Sequence, residues 1–331
     1  MPRPSEDELI ADFFAPLAGP GAFGLRDDAA ILAPPPGCDI VLTKDVLIGG
    51  VHFFPNDPPD CIARKSLRVN LSDLAAKAAE PRGFLLGLAL PEDWTADWLA
   101  AFARGLGEDA AAYACPLLGG DTVKTPGQLS ISVTAIGVVP SGRMVQRAGA
   151  AAGDLIYATG AIGDAALGLR LRLDAAGDRH WTRALSLKAA AFLADRYLLP
   201  QPRLALREAL RTHGHAAMDI SDGLAGDLAK MLHLAGMTAE IAAAAVPLSE
   251  AVRDALKLEP KLVETILTGG DDYEILCAVP PDRSLGFEAA AAAAGLTVSA
   301  IGRALPGAAP PLFKDAEGHA LIFAKASYQH F

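Results

Sequence analysis

Carboxylates recur along this chain in six short clusters, each beside glycine or at the end of an apolar run: Asp27-Asp28, Asp45, Asp73, Asp121, Asp219 with Asp222, and Asp271-Asp272. Acids brought close together raise one another's pKa or demand neutralisation, so a fold that gathers them needs cations among them. Hard oxygen ligands in that number point to magnesium, and magnesium sites commonly share their ion with phosphate. A single Asp in a turn has a simpler explanation, because its side chain bonds its own backbone. The repeated pairing of glycine with acid is what argues for one metal site assembled from distant segments.

Each cluster has a local reading. In Val69-Asn70-Leu71-Ser72-Asp73-Leu74 an amide and a carboxylate three residues apart can hold one hydrated cation, while Ser66 and Lys77 on the same stripe read as a solvated helix face. Asp45 follows the apolar run Ile40 to Thr43 through Lys44, and His52 follows in Gly49-Gly50-Val51-His52-Phe53. An imidazole there suits either packing or a phosphate. Gly119-Gly120-Asp121 is either an anion-binding nest with its acid turned to a metal or a hairpin turn. Asp219-Ile220-Ser221-Asp222-Gly223 joins a strand to a helix with Ser221 placed as N-cap, at a terminus that favours anions. Capping leaves Asp219, in the strand, unexplained. Gly269-Gly270-Asp271-Asp272-Tyr273-Glu274 precedes a β run and reads as a charged turn or as part of the site.

The elements that must position these residues alternate between strand and helix, which predicts an α/β (α+β) fold. Strands are expected over 29–32, 40–43, 84–89, 129–139, 154–159, 216–220, 273–279 and 297–301, with clear helices over 59–79 and 221–234, the latter closed by Gly236. Turn chemistry at Pro140-Ser141-Gly142 and the Gly/Ala-rich stretch to Gly153 predicts two domains, 1–145 and 146–331. Gly19-Pro20-Gly21-Ala22-Phe23-Gly24 fits the dinucleotide pattern by letter, but no strand precedes it and no helix follows. A Walker A loop, a G-x-S-x-G elbow and an H-E-x-x-H helix are absent from the sequence.

Composition narrows the class. A formal charge of −10 without a basic run argues against nucleic acid and anionic lipid as partners. Cys38, Cys61, Cys115 and Cys277 are isolated, which excludes a zinc knuckle on spacing and suits buried thiols in a reducing compartment. No secretory leader and no long apolar run are legible, so a cytoplasmic protein away from the membrane is expected.

The order of Asp27-Asp28-Ala29-Ala30, Thr43-Lys44-Asp45, Gly50-Val51-His52-Phe53, Asn70 to Ala75, Gly119-Gly120-Asp121-Thr122, Asp219 to Leu224 and Gly269 to Glu274 resembles the thiamine-monophosphate kinase family, within the superfamily of aminoimidazole ribonucleotide synthetase. The resemblance spans nearly the whole chain. It implies a two-domain enzyme: an N-terminal ATP- and magnesium-binding domain that dimerises through its sheet, and a C-terminal α/β domain closing over nucleotide and substrate. The implied reaction is phosphorylation of thiamine monophosphate by ATP to thiamine diphosphate, the last step in making that compound, with several Mg2+ ions, K+ as a further candidate, and no side chain as acid or base. Carried over residue by residue, Asp28, Thr43, Lys44, Asp45, Asp73, Asp121, Asp219 and Asp222 form the metal set. Gly119, Gly120, Asp121, Arg147 and Ser221 contact ATP, and His52, Asp271 and Tyr328 contact the thiamine phosphate. The chain departs from the family pattern at three places. Lys44 stands where Thr is common, so an ammonium can take the place of one ion's charge. Asp271 stands where Glu is common, and Lys325 aligns with an aromatic residue that packs on thiamine, for which Tyr328 is the nearest substitute.

Overall fold

The computed structural model describes residues 4–328. The chain divides into two compact units, one running through Leu74 and resuming over Ala79–Gly142, the other comprising Ala75–Ala78 and everything from Arg143 onward.

The first unit begins with a short turn, α1 (Glu6–Leu9), and is built on β1 (Cys38–Ile48), α2 (Pro59–Ala76), β2 (Glu80–Leu90), α3 (Ala96–Ala112), β3 (Leu117–Lys124) and β4 (Ser130–Pro140). Its sheet has the order β1-β4-β2-β3, with β2 and β3 parallel and the other neighbours antiparallel. Alternation assigns the two faces. Val41, Leu47, Leu86, Leu88, Ile131 and Val133 point to the buried face, where Leu74 of α2 lies within contact of the position a Cβ on Gly137 would take. Pro59 opens α2 at a position whose N–H needs no partner, and its Leu67, Leu71 and Leu74 are fully buried. Ser66 and Asn70 are equally buried, so the solvated face expected around Ser66 is not one: its hydroxyl turns back to the Ala63 carbonyl at 2.7 Å.

The opposite face of that sheet carries Ile40, Leu42, Lys44, Val46 and Ile48 on β1, Leu85 and Gly87 on β2, and Ser132 and Thr134 on β4, all partly or well exposed. The strand expected over 29–32 does not form. Ile31 instead donates one backbone bond to the Gly21 carbonyl at 2.9 Å, and a Cβ on Gly21 would sit 1.9 Å from the Ile31 carbonyl oxygen. This chain crossing, rather than a dinucleotide, accounts for the glycine in the false fingerprint.

The second unit orders β5 (Leu155–Thr159), α4 (Asp164–Leu173), α5 (Arg179–Thr182), α6 (Leu187–Leu198), α7 (Arg207–His213), β6 (Ala216–Ile220), α8 (Leu224–His233), β7 (Met237–Ala242), α9 (Glu250–Leu258), α10 (Leu262–Thr268), β8 (Glu274–Val279), α11 (Ser284–Ala293), β9 (Val298–Pro306), β10 (Leu312–Lys314) and β11 (Ala320–Leu321). Its seven strands run β11-β10-β7-β9-β5-β8-β6, antiparallel except where β10 meets β7. Every residue of β6 and β8 is buried, so these strands read as continuous apolar runs interrupted only by Asp219 and Glu274. One core gathers Ile156, Leu167, Trp181, Leu193, Leu228 and Leu276. Among the described residues no helix is long and apolar enough to cross a membrane.

Candidate active site

In the first unit the expected acids fall into two groups, separated by strand alternation. Thr43 and Asp45 project to the helix-covered face of β1, where the Thr43 hydroxyl donates to the Asp73 carboxylate of α2. Burial, then the charge of Asp73, push the Asp45 carboxyl up to about 6, with Lys44 drawing it back. Asn70, one turn earlier on α2 and wholly buried, donates its amide to the Ser66 carbonyl while its Oδ1 has no hydrogen-bond partner among the described residues. Two crowded carboxylates beside an unsatisfied amide oxygen are hard donors of the kind that suit a hydrated cation.

The second group lies on the open face. A cavity of about 800 Å³ is lined by Asp27, Asp28, Lys44, Gly87, Gly119, Gly120, Asp121, Ser132 and Thr134, with Ile10, Phe14, Leu25 and Leu32 forming its apolar side. Lys44 donates to the Ser132 hydroxyl. In register, Ser132 lies opposite Gly87 and Gly87 opposite Asp121, so the glycine leaves an open floor between the basic edge strand with Lys44 and the acidic edge strand with Asp121, three strand spacings or about 14 Å apart. Gly119 and Gly120 form neither nest nor hairpin, because both belong to strand β3, whose pairing with β2 shifts register just before Gly119. Packing requires the second of them: a Cβ on Gly120 would stand 1.9 Å from the Leu86 carbonyl oxygen. An ammonium has no lone pair to coordinate a metal, so Lys44 contributes charge.

His52 sits in the turn after β1, where its Nδ1 accepts the Ile48 N–H at 3.0 Å. That bond makes Nδ1 an acceptor, so a neutral ring carries its proton on Nε2. Gly50 permits the turn with φ +80°.

In the second unit Asp219 is buried in β6 and Ser221, Asp222 and Gly223 lead into α8. Ser221 does not cap the helix. The N-cap is Gly223, at φ 122°, and the loop's N–H groups are collected from inside the helix by Asp227, whose Oδ2 accepts from Ser221 at 3.0 Å, Asp222 at 2.9 Å and Gly223 at 3.2 Å. Lys230 bridges Asp222 at 2.5 Å and Asp227 at 3.0 Å. Burial raises the Asp227 carboxyl, opposed by Lys230 and the backbone donors. The sequence reading missed Asp227; its signal was a wholly buried acid among Leu224, Leu228 and Met231 on the apolar side of the helix.

Asp271 and Tyr328 converge on this loop. Asp271 donates its N–H to the Ser221 carbonyl at 2.8 Å, and Tyr328 donates its own to the Asp222 carbonyl at 3.0 Å. Asp272 faces away, accepting Gly163 N–H at 2.7 Å and Ala165 N–H at 3.2 Å at the start of α4, which makes it a structural turn residue. Arg147 lies in a single 3₁₀ turn beside β6, where the Ala217 N–H reaches the Gln146 carbonyl at 3.1 Å.

Among the described residues no group of three or more His, Cys, Asp or Glu is close enough to cage a metal by itself. Paired carboxylates fit magnesium held by one or two acids plus waters and substrate phosphates, the usual manner of that ion. They do not fit an all-protein cage.

Known proteins resemble this chain over most of its length. Residues 26–139 match the family model for AIR synthase related protein, N-terminal domain, and residues 151–311 match that for its C-terminal domain. The chain is 43% identical over 309 residues to thiamine-monophosphate kinase of Caulobacter vibrioides, covering 92% of this chain and 85% of that protein. The solved thiamine-monophosphate kinase of Stenotrophomonas maltophilia K279a is 37% identical, with a TM-score of 0.80 over 90% of this chain and 91% of that one. AaThiL complexed with AMPPCP and TMP is 29% identical, with a TM-score of 0.77 over 94% of this chain and 97% of that one. The chain belongs to the AIR synthase related proteins and, within them, to the thiamine-monophosphate kinase family.

Proposed function

We propose that the chain transfers the γ-phosphoryl group of ATP to thiamine monophosphate, giving thiamine diphosphate and ADP. The observation that carries this reading is the open-face cavity, whose volume of about 800 Å³ falls in the range of small-molecule sites and whose glycine floor lies between Lys44 and Asp121. The family membership and the AMPPCP and TMP held by AaThiL supply the chemical class.

Donor and acceptor are both polyanions, so catalysis consists of neutralising charge and aligning the two phosphates. Magnesium, when bound, would supply most of that neutralisation. Asp28, Asp121 and Lys44 would serve the nucleotide phosphates on the open face, and Thr43, Asp45 and Asp73 a second ion position on the helix-covered face. Gly119 and Gly120 admit close approach by lacking side chains, and Arg147 and Ser221 donate to nucleotide oxygens. Asp219 and Asp222 present carboxylates at the head of α8. His52 offers Nε2–H to the thiamine phosphate, Asp271 orients that substrate, and Tyr328 lies against it. The acceptor phosphate is largely ionised near neutral pH, its second pKa being about 6, so no general base is required.

The open sheet face supports a homodimer. Ile40, Leu42, Val46 and Val123 are 47%, 66%, 48% and 49% exposed, a concentration of apolar surface that a second copy of the sheet would cover. Titration calorimetry with thiamine monophosphate and a non-hydrolysable ATP analogue, with and without magnesium, tests the reading: both should bind and the analogue should need the ion. Binding of a formylglycinamidine ribonucleotide in place of thiamine monophosphate would replace the proposal with a synthetase.

A further inference from the structure

The loop Gly269–Tyr273 between α10 and β8 holds two non-glycine residues in the left-handed region, Asp271 at φ 72° and Tyr273 at φ 50°. Asp visits that region at little cost, but an aromatic residue is held there only by its surroundings. The front of the loop is pressed against the head of α8. Asp271 and Tyr273 donate to the Ser221 and Ile220 carbonyls, each at 2.8 Å, and a Cβ on Gly270 would stand 2.3 Å from the Ser221 carbonyl oxygen. These bonds fix where the loop touches but leave open what pulls it taut from behind.

Behind it stand two wholly buried acids, Asp272 and Glu274. Asp272 is held by backbone N–H groups of α4. Glu274 is held by side chains. Arg203 grips both of its carboxylate oxygens, Nε to Oε2 at 2.6 Å and Nη2 to Oε1, and Arg196 of α6 donates to Oε1 at 3.2 Å. The Thr159 hydroxyl donates to Oε2 at 2.6 Å and in turn accepts the Ile275 N–H at 2.8 Å. Gly160, at φ +59°, makes room for the carboxylate, since a Cβ there would lie 2.1 Å from Oε1. So many charge-assisted bonds on one carboxylate define its position closely. Glu274 lies one residue beyond the strained Tyr273 and three beyond Asp271, so its placement is transmitted along a backbone with little freedom to absorb error.

We propose that Arg203 and Arg196, acting through Glu274, are positioning residues that hold the Gly269–Tyr273 loop in its strained form and thereby set where Asp271 meets thiamine monophosphate. The substrate half of this statement rests on the kinase reading above; the loop half does not. An Arg-to-Lys change keeps the charge and loses the two-pronged grip, so it loosens the clamp while sparing the buried acid a bare vacancy of charge.

The test is Arg203→Lys, alone and combined with Asp271→Ala, with Arg196→Lys as a second variant should Arg203→Lys fold poorly. Arg203→Lys should raise KM for thiamine monophosphate about tenfold while KM for ATP changes less than twofold, and in the Asp271→Ala background it should add less than about twofold, because the two changes act through one contact. Amide hydrogen exchange, which needs no turnover, should show Asp271 and Tyr273 losing protection at least tenfold in Arg203→Lys with β5 and β6 unaffected. Full additivity with Asp271→Ala, or unaltered exchange at the loop, would overturn the proposal. If the wild-type chain failed to phosphorylate thiamine monophosphate but the exchange result held, the kinase reading would fall and the clamp would stand.

Discussion

Replacing Asp227 tests how the head of α8 is built. Its side chain is fully buried, and one oxygen accepts three consecutive backbone N–H groups, those of Ser221, Asp222 and Gly223. In Asp227→Ala the Gly223 N–H, which is buried, loses its acceptor at a cost of about 2 kcal/mol; the two part-exposed donors can turn to water at about 0.5 kcal/mol each. The Lys230 contact adds little, since that side chain is 45% exposed and keeps Asp222. The total is about 3 kcal/mol, well below the 5–15 kcal/mol typical of folded proteins, so the variant should fold. Its Tm should fall by about 6–12 °C for a unit of this size. Asp227→Asn retains an oxygen for the three donors but weakens bonds that a carboxylate strengthens and turns an amide towards Lys230, a loss of about 1–2 kcal/mol. Urea unfolding of the three proteins, with hydrogen exchange read at residues 219–223, should rank wild type above Asn above Ala, and ATP-analogue affinity should fall in the same order. Ala within about 0.5 kcal/mol of wild type, or Asn below Ala, would refute the assignment of the loop's architecture to this residue.

Three further outcomes follow from particular contacts. Burial, eased by Ser249 and Arg196 and reinforced by Glu274, pushes the Asp164 carboxyl up to about 6 from an ordinary 3.8. The folded state therefore keeps a proton that the unfolded chain has released, and the contribution of Asp164 to stability falls as pH rises from about 4 to about 6, by at most about 3 kcal/mol, and is level above; Asp164→Asn should flatten the slope in urea titrations by that share, leaving what Asp45 adds over the same window, and parallel curves would count against it. Asp73→Asn removes a charge from the Thr43–Asp45–Asp73 group, and turnover should fall by about two to three orders of magnitude with the far-UV spectrum unchanged, the size expected for losing an electrostatic group at a phosphoryl-transfer site; near-normal turnover at saturating magnesium would take Asp73 out of the ion's shell. Leu42→Glu, at a position 66% exposed among the apolar residues of the edge strand β1, should turn the proposed homodimer into monomer in sedimentation; a monomeric wild type would refute the dimer, and a dimer unchanged by the substitution would place the interface elsewhere.

Strand content was legible where alternation or an unbroken apolar run marked it: 216–220, 154–159 and 129–139 match β6, β5 and β4 to within a residue at each end, and β1 and β2 extend the expected cores. Three failures have physical reasons. Gly119-Gly120-Asp121 carries turn chemistry, yet pairs with β2 as part of β3, and at Gly120 the close approach of the Leu86 carbonyl requires glycine. Ser221 has the right type for a cap, but an acid six residues on collects the same N–H groups. The acids of the first unit were read as one cradle; alternation along β1 places Lys44 and Asp45 on opposite faces, and spacing in sequence did not say which face would meet Asp121. The apolar N-terminal residues Ile10, Phe14 and Leu25 lining the cavity were invisible, since only the chain path brings them to the sheet. Asp272 as a turn residue fits the charged-turn reading of its motif, whereas the contact of Asp271 with Ser221 comes from the chain path.

Direct transfer between two phosphates is tested most closely by following the γ-phosphoryl group. With γ-labelled ATP, thiamine monophosphate and magnesium, label should appear in thiamine diphosphate in a one-to-one ratio with ADP, and a chelator should stop both. Label released as free phosphate while thiamine monophosphate remains unchanged would contradict it.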